Sequence, residues 1–167
     1  MRRRGYTLVE LIVVLFIASL LLFLAAPNLR RAFLDDQLVS TGKKLIALAQ
    51  ELRADAVREQ LTYCLHIDLD QGRYWTSSTD MTPAKRDERK KAATSFPEDV
   101  KVTDGYPVGD EKKTEGELTV LFFKNGVVQP TVLHLGNGDE HLTLFFEPFI
   151  NRIRMLKEYI DFPEKTE

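Results

Sequence analysis

The chain has 167 residues and a mass of 19.1 kDa, room for one domain but not for two full ones. Its 23 Lys plus Arg against 25 Asp plus Glu leave a formal charge of -2, which argues against a general nucleic-acid binder. One cysteine, Cys64, excludes an intramolecular disulfide framework and a multi-cysteine zinc site, and His66, His134 and His141 are too scattered for a convincing metal cluster.

The charges are unevenly spread. The first 29 residues carry only Arg2, Arg3, Arg4 and Glu10, whereas the other 138 hold 20 basic and 24 acidic residues. Tyr6 to Pro27 is a run of 22 residues in which Glu10 is the only charge. At ~1.5 Å per residue a helix of that length spans roughly 33 Å, enough for the hydrocarbon core of a bilayer, and the run shows no polar face. It predicts a transmembrane helix. Arg2, Arg3 and Arg4, just before it, place the amino end in the cytoplasm and the body outside, with Arg30 and Arg31 as the only counter-signal. A cleaved secretory signal fits less well, because Glu10 interrupts the apolar start and Pro27 would follow the scissile bond after Leu24-Ala25-Ala26.

Glu10 is the informative residue. A carboxylate inside a membrane segment costs ~2.5–3.5 kcal/mol at mid-helix and less near the interface, so such groups are kept where they have a partner. The string Arg2-Arg3-Arg4-Gly5-Tyr6-Thr7-Leu8-Val9-Glu10, followed by the apolar run, resembles the class III signal of type IV pilins and type II secretion pseudopilins. The resemblance implies that a prepilin peptidase cuts between Gly5 and Tyr6, and that the same enzyme methylates the new amino group of Tyr6. It also implies that Glu10 approaches the amino terminus of a neighbouring subunit during assembly, and that Pro27 bends the long helix. Simple physics agrees with both roles: a poorly solvated anion and cation offset each other's desolvation, and proline has no N–H to give the helix ladder.

Residues 28–60 contain one glycine, Gly42, and no proline. Leu34, Leu38, Leu45, Leu48, Leu52 and Ala56 recur at helical spacing, with Ala49 on the same side, while Asp, Glu, Lys and Arg fill the intervals. The pattern predicts an amphipathic continuation of the first helix with one face committed to a sheet. Gly42, at ~1 kcal/mol below alanine in helix propensity, marks an expected soft point.

Strands follow. Tyr63, Leu65, Ile67 and Leu69 alternate with Cys64, His66 and Asp68, and Gln71-Gly72 turns the chain into Arg73-Tyr74-Trp75. Val100 and Val102, Leu118 to Phe123, Thr131 to Leu135, His141 to Phe146 and Arg152 to Leu156 supply further short strands, separated by Asn125-Gly126 and Gly136-Asn137-Gly138. Residues 76–95 and 103–117 read as loops; twenty residues without structure would be unusual, so the first has room for a helical turn or a mobile region. The expected division is 1–5 leader, 6–29 transmembrane and assembly helix, 30–60 amphipathic half, 61–162 β-rich periplasmic domain and 163–167 loose tail.

The body resembles the GspH type of type II secretion minor pseudopilin and the FimT-like minor pilins. Leu52-Arg53-Ala54-Asp55-Ala56-Val57-Arg58 is similar to that group's helix end, Gly72 and Trp75 to its early hairpin, and Phe96-Pro97-Glu98-Asp99-Val100 to its linker. Phe122 to Gly126 resembles its later hairpin, and Ile150-Asn151-Arg152-Ile153 stands where it usually carries Thr-Gly-Arg-Val. The resemblance implies an α+β, pilin-like fold: a long N-terminal helix, half transmembrane and half amphipathic, packed on antiparallel sheets.

Nothing here predicts an enzyme, a metal or a cofactor. Asp68-Leu69-Asp70-Gln71-Gly72 begins like a calcium loop but lacks the later ligands, so a hairpin turn is the better reading. His66 with Asp68, and His134 with His141, lack a nucleophile or third ligand and read as structural. Cys64 falls opposite the Leu65 and Ile67 face. The basic run Lys85 to Lys91 is diluted by Asp87 and Glu88 and reads as a solvated stretch.

The function implied is a minor pseudopilin, assembled near the tip of a type II secretion pseudopilus. Its implied partners are the prepilin peptidase and methyltransferase, the other major and minor pseudopilins, the inner-membrane assembly platform and secreted cargo. The implied location is the bacterial inner membrane, crossed once, with the body periplasmic. Two alternatives stand beside it: a FimT-like minor pilin of a type IV pilus, for DNA uptake or adhesion, and a single-span anchored binding or sensor module.

Overall fold

A computed structural model describes residues 8–148 and 153–161, and for residues 22–36 the backbone alone. The chain divides into two units, Met1–Asp36 and Gln37–Glu167. A helix, α1, runs from Leu8 to Glu59.

In the first unit every large apolar side chain from Leu8 to Leu21 is exposed, Leu8 at 75 % and Phe16 at 67 %. The expected membrane crossing is not supported by this structure. Among the described residues no helix is long and apolar enough to cross a membrane. The apolar side chains described run from Leu8 to Leu21 and stop short of Pro27, where the apolar run of the sequence ends. The transmembrane half of the fold expectation and the single-pass inner-membrane location are both corrected accordingly. The leader at 1–5 and the tail at 163–167 lie outside the described residues.

The second unit is α+β. One stripe of α1 is buried, through Leu38, Thr41, Gly42, Leu45, Ala49, Leu52 and Ala56, at the three- and four-residue spacing of one helix face. Among the described residues eight strands follow: β1 Tyr63–Asp68, β2 Arg73–Ser78, β3 Thr94–Ser95, β4 Lys101–Pro107, β5 Glu117–Phe122, β6 Thr131–Asn137, β7 Glu140–Phe146 and β8 Arg154–Leu156. They form two antiparallel sheets in the orders β3-β2-β1-β5 and β4-β6-β7-β8. The α1 stripe shares one core with both sheets, including Leu65 and Ile67 of β1, Leu118, Val120 and Phe122 of β5, and Leu142 and Leu144 of β7. Each fully buried Leu or Phe contributes about 1.5–3 kcal/mol relative to exposure, so this shared core dominates the stability of the unit.

Gly42 is no soft point. A Cβ there would lie 2.5 Å from Leu142 Cδ2 and 3.0 Å from Met155 Sδ, so the missing side chain is what lets α1 lie close against β7 and β8. Two expected loops are also more ordered than the composition suggested. Residues 76–95 hold the end of β2, a helix α2 at Pro83–Lys91 and the short β3. Thr82 caps α2, its Oγ1 accepting from Lys85 N–H at 3.4 Å, and Pro83 begins it with no N–H to satisfy. Within 103–117, β4 extends to Pro107, and Gly105 and Lys113 exchange both backbone hydrogen bonds, at 2.9 and 3.0 Å.

Candidate assembly site

The residues expected to carry processing and assembly lie in the first unit. Gly5 and Tyr6 fall outside the described residues. Glu10 is exposed in the first described turn of α1, between Val9 and Leu11, which are exposed at 67 % and 59 %. Pro27 belongs to the part of α1 described by its backbone alone, and the helix assignment continues through it. Ser19 points its hydroxyl back to the carbonyl of Phe16 at 2.8 Å, satisfying a polar group inside an apolar stretch. The arrangement is a helix that presents a carboxylate among large, exposed apolar side chains.

The body brings the remaining candidates into three polar centres, each structural in form. The first is the β1–β2 turn. Gln71 N–H donates to Asp68 Oδ1 at 2.9 Å and Gly116 N–H to Asp70 Oδ2 at 3.1 Å, while Gly72 takes φ 58°. Both carboxylates are thus used by backbone donors, and the hairpin reading of 68–72 is the one the geometry supports. The second centre lies on the face of β1 and β2 away from α1. His66 places Nδ1 2.7 Å from Glu117 Oε1 and Nε2 2.8 Å from Ser77 Oγ, and stacks on Trp75 at 5.2 Å between ring centres. Burial pushes its pKa down, with Glu117 opposing the shift. Cys64 shares that face, half-buried, and burial pushes its thiol pKa up.

The third centre closes the end of β4, β6 and β7. A bulge between Val102 and Asp104 sets Asp104 directly opposite His134, and both are almost fully buried. His134 Nδ1 meets Asp104 Oδ1 at 2.7 Å, and Nε2 meets the Ile160 carbonyl at 3.0 Å; a carbonyl only accepts, so Nε2 carries the hydrogen. Tyr159 stacks on His134 at 4.0 Å between ring centres and donates to Asp104 Oδ2 at 2.9 Å. His141 approaches the edge of Tyr159 at 5.9 Å, so the two histidines share a tyrosine. Among the described residues no group of three His, Cys, Asp or Glu side chains could hold a metal.

Sequence reasoning missed a groove. It is a cleft of about 620 Å³ between the last turns of α1, the inward face of β1–β2 and α2. Its α1 wall carries Glu51, Asp55 and Glu59, its opposite wall Lys85 and Arg89, and Leu48, Leu52 and Met81 supply apolar surface. Tyr63 donates its hydroxyl to Glu59, which pushes the tyrosine pKa up to about 12 and the glutamate's down. The signal that could have found it is the i, i+4 pairing of Lys85 with Arg89, which becomes meaningful once 83–91 is a helix.

A prokaryotic N-terminal methylation motif matches residues 1–26. A type II secretion system protein H from Pseudomonas aeruginosa is 32% identical over 143 residues, covering 81% of this chain and 77% of the relative. Two solved structures of the minor pseudopilin EpsH from the type II secretion system of Vibrio cholerae share the fold. One aligns with a TM-score of 0.55 at 15% identity, over 75% of this chain and 97% of that one. The other aligns with a TM-score of 0.56 at 14% identity, over 75% and 99%.

Proposed function

The chain belongs to the family of type II secretion system protein H, the minor pseudopilins of that system, and from this premise we propose how it joins its fibre. Proteins of this family are structural components rather than catalysts, so the chemistry to explain is recognition and assembly. Prepilin peptidase cleaves between Gly5 and Tyr6 and methylates the Tyr6 amine. The new amino terminus is then the cation that a neighbouring subunit's Glu10 meets. Surrounded by apolar side chains, neither charge is well solvated alone, and pairing relieves both. The exposed stretch from Leu8 to Leu21 packs against equivalent helices of other pseudopilins, near the tip of the fibre where a minor subunit acts. Pro27 leaves one carbonyl of α1 without its N–H donor, which gives the helix a place to yield as it packs.

The observation that supports this most strongly is the methylation motif over residues 1–26 on a chain related to protein H through most of its length. The test is co-purification of the full chain with the other pseudopilins of its own system. Glu10→Ala is expected to lower recovery at least about tenfold, the loss of one poorly solvated ion pair. Recovery equal to the unaltered chain would overturn the role given to Glu10.

A further inference from the structure

The groove between α1 and α2 borders the core through Leu52, and the acidic side chains of α1 stand across it from the basic ones of α2. Lys85 and Arg89 lie one helical turn apart on the same face of α2, at positions that line the cleft. Both are exposed, and neither has an ionic partner among the described residues. The neighbouring face of the same helix is used differently: Lys90 lies 4.9 Å from the centre of the Trp75 ring and pairs with Glu117 at 3.2 Å. Two cations thus face a cleft whose opposite wall is acidic. On that wall, Asp55 is paired with Arg58 at 2.7 Å and Glu59 holds the Tyr63 hydroxyl. Glu51 is exposed, with no such partner given by the described residues. The volume, about 620 Å³, falls within the ~300–1,000 Å³ of ordinary binding clefts.

We propose that this groove receives an extended segment of another pseudopilin, which sets an acidic side chain between Lys85 and Arg89 and a basic one against Glu51. The partner's identity rests on the assembly reading above; the groove adds a contact in the body to the one made by the helix. Charge complementarity favours a polypeptide of mixed sign. A polyanion such as DNA, or a uniformly anionic surface, would bring its charge against Glu51, Asp55, Glu59 and Asp80 on entering the cleft. Leu48 and Met81 give the segment apolar surface to cover, while Thr76 offers a hydroxyl.

The test places a photo-crosslinking residue at Met81, or separately at Leu48, in the full chain co-expressed with the other pseudopilins of its system. The expected result is one discrete adduct with another pseudopilin from either position. The pair Lys85→Glu and Arg89→Glu should lower its yield at least about tenfold, since like charges across an interface are strongly unfavourable. Arg86→Glu with Lys91→Glu makes the same change in net charge on other faces of α2 and should leave the yield within about twofold. Several outcomes overturn the proposal: equal loss in both pairs, an adduct only with a second copy of this chain, or protection of Met81 by duplex DNA or phosphatidylglycerol vesicles. So does the absence of any adduct while the chain still co-purifies with its partners in a Glu10-dependent way. If Glu10-dependent co-purification itself fails, the assembly reading falls, and the partner named here falls with it.

Discussion

Gly42 shows how much one missing side chain can set. A methyl group there would need Leu142 Cδ2 to move from a 2.5 Å approach, with Met155 Sδ already at 3.0 Å. Gly42→Val should therefore destabilise the body by about 1–3 kcal/mol despite raising helix propensity, read as a lower urea midpoint at unchanged slope. A neutral or higher midpoint would mean the helix does not lie as close as described. His66 gives a residue-scale test against pH. Burial holds its folded pKa below the ordinary value of about 6.5, so the unfolded chain binds more protons between those two values. Its contribution is complete above about pH 6.5 and is lost as pH falls through the folded pKa. His66→Gln should flatten that part of the stability profile relative to the unaltered chain; parallel profiles would contradict the assignment. Residue identity made some of this legible and some not. The Asp68–Gly72 turn could be read from its own five residues, because its donors and acceptors are local. The partners of His134 could not, since Asp104, Tyr159 and Ile160 reach it only through a bulge and a returning chain end.

At the scale of elements, the core stripe of α1 was legible because helical spacing survives in sequence: Leu38, Leu45, Ala49, Leu52 and Ala56 are buried and Leu48 is half-buried, while the side chain of Leu34 lies outside the described residues. Strand β1 was legible from its period of two, and β5, β6 and β7 as short apolar-rich runs between turn residues, whereas β3 and most of β4 were read as loop. The helix α2 was legible only as room for a helical turn somewhere in 76–95. Its nine residues, Pro83 to Lys91, include no buried side chain, so no apolar period announced it, and its signals are the Thr82 cap and Pro83. That makes the cap testable. Thr82→Ala should cost α2 about 1 kcal/mol, speeding hydrogen exchange of its amides severalfold while the global unfolding midpoint changes little. Unchanged exchange would mean that contacts with β2, rather than the cap, hold the helix. The bulge in β4 was equally hidden, since one extra residue in a strand leaves the alternation almost intact.

At the scale of the whole molecule, two units divide the work. The body, Gln37–Glu167, owes its stability to its own core, whereas the function proposed for the first unit depends on a short string at its head. Glu10→Ala should accordingly leave the urea midpoint of the body unchanged while reducing assembly; a shifted midpoint would show that the two roles are not separable. The pilin-like class was legible from that string because the resemblance lies in the order of a few adjacent residues, whereas the GspH type was read from looser resemblances in the body. The membrane crossing inferred from the same string is not supported: among the described residues no helix is long and apolar enough to cross a membrane. The most direct measurement of the central claim is the mass of the amino-terminal peptide of the chain purified from a host with an active prepilin peptidase. A peptide beginning at Tyr6 with one added methyl group is expected; a chain that still carries Arg2 to Gly5 would contradict processing, and with it the assembly built upon the freed amine.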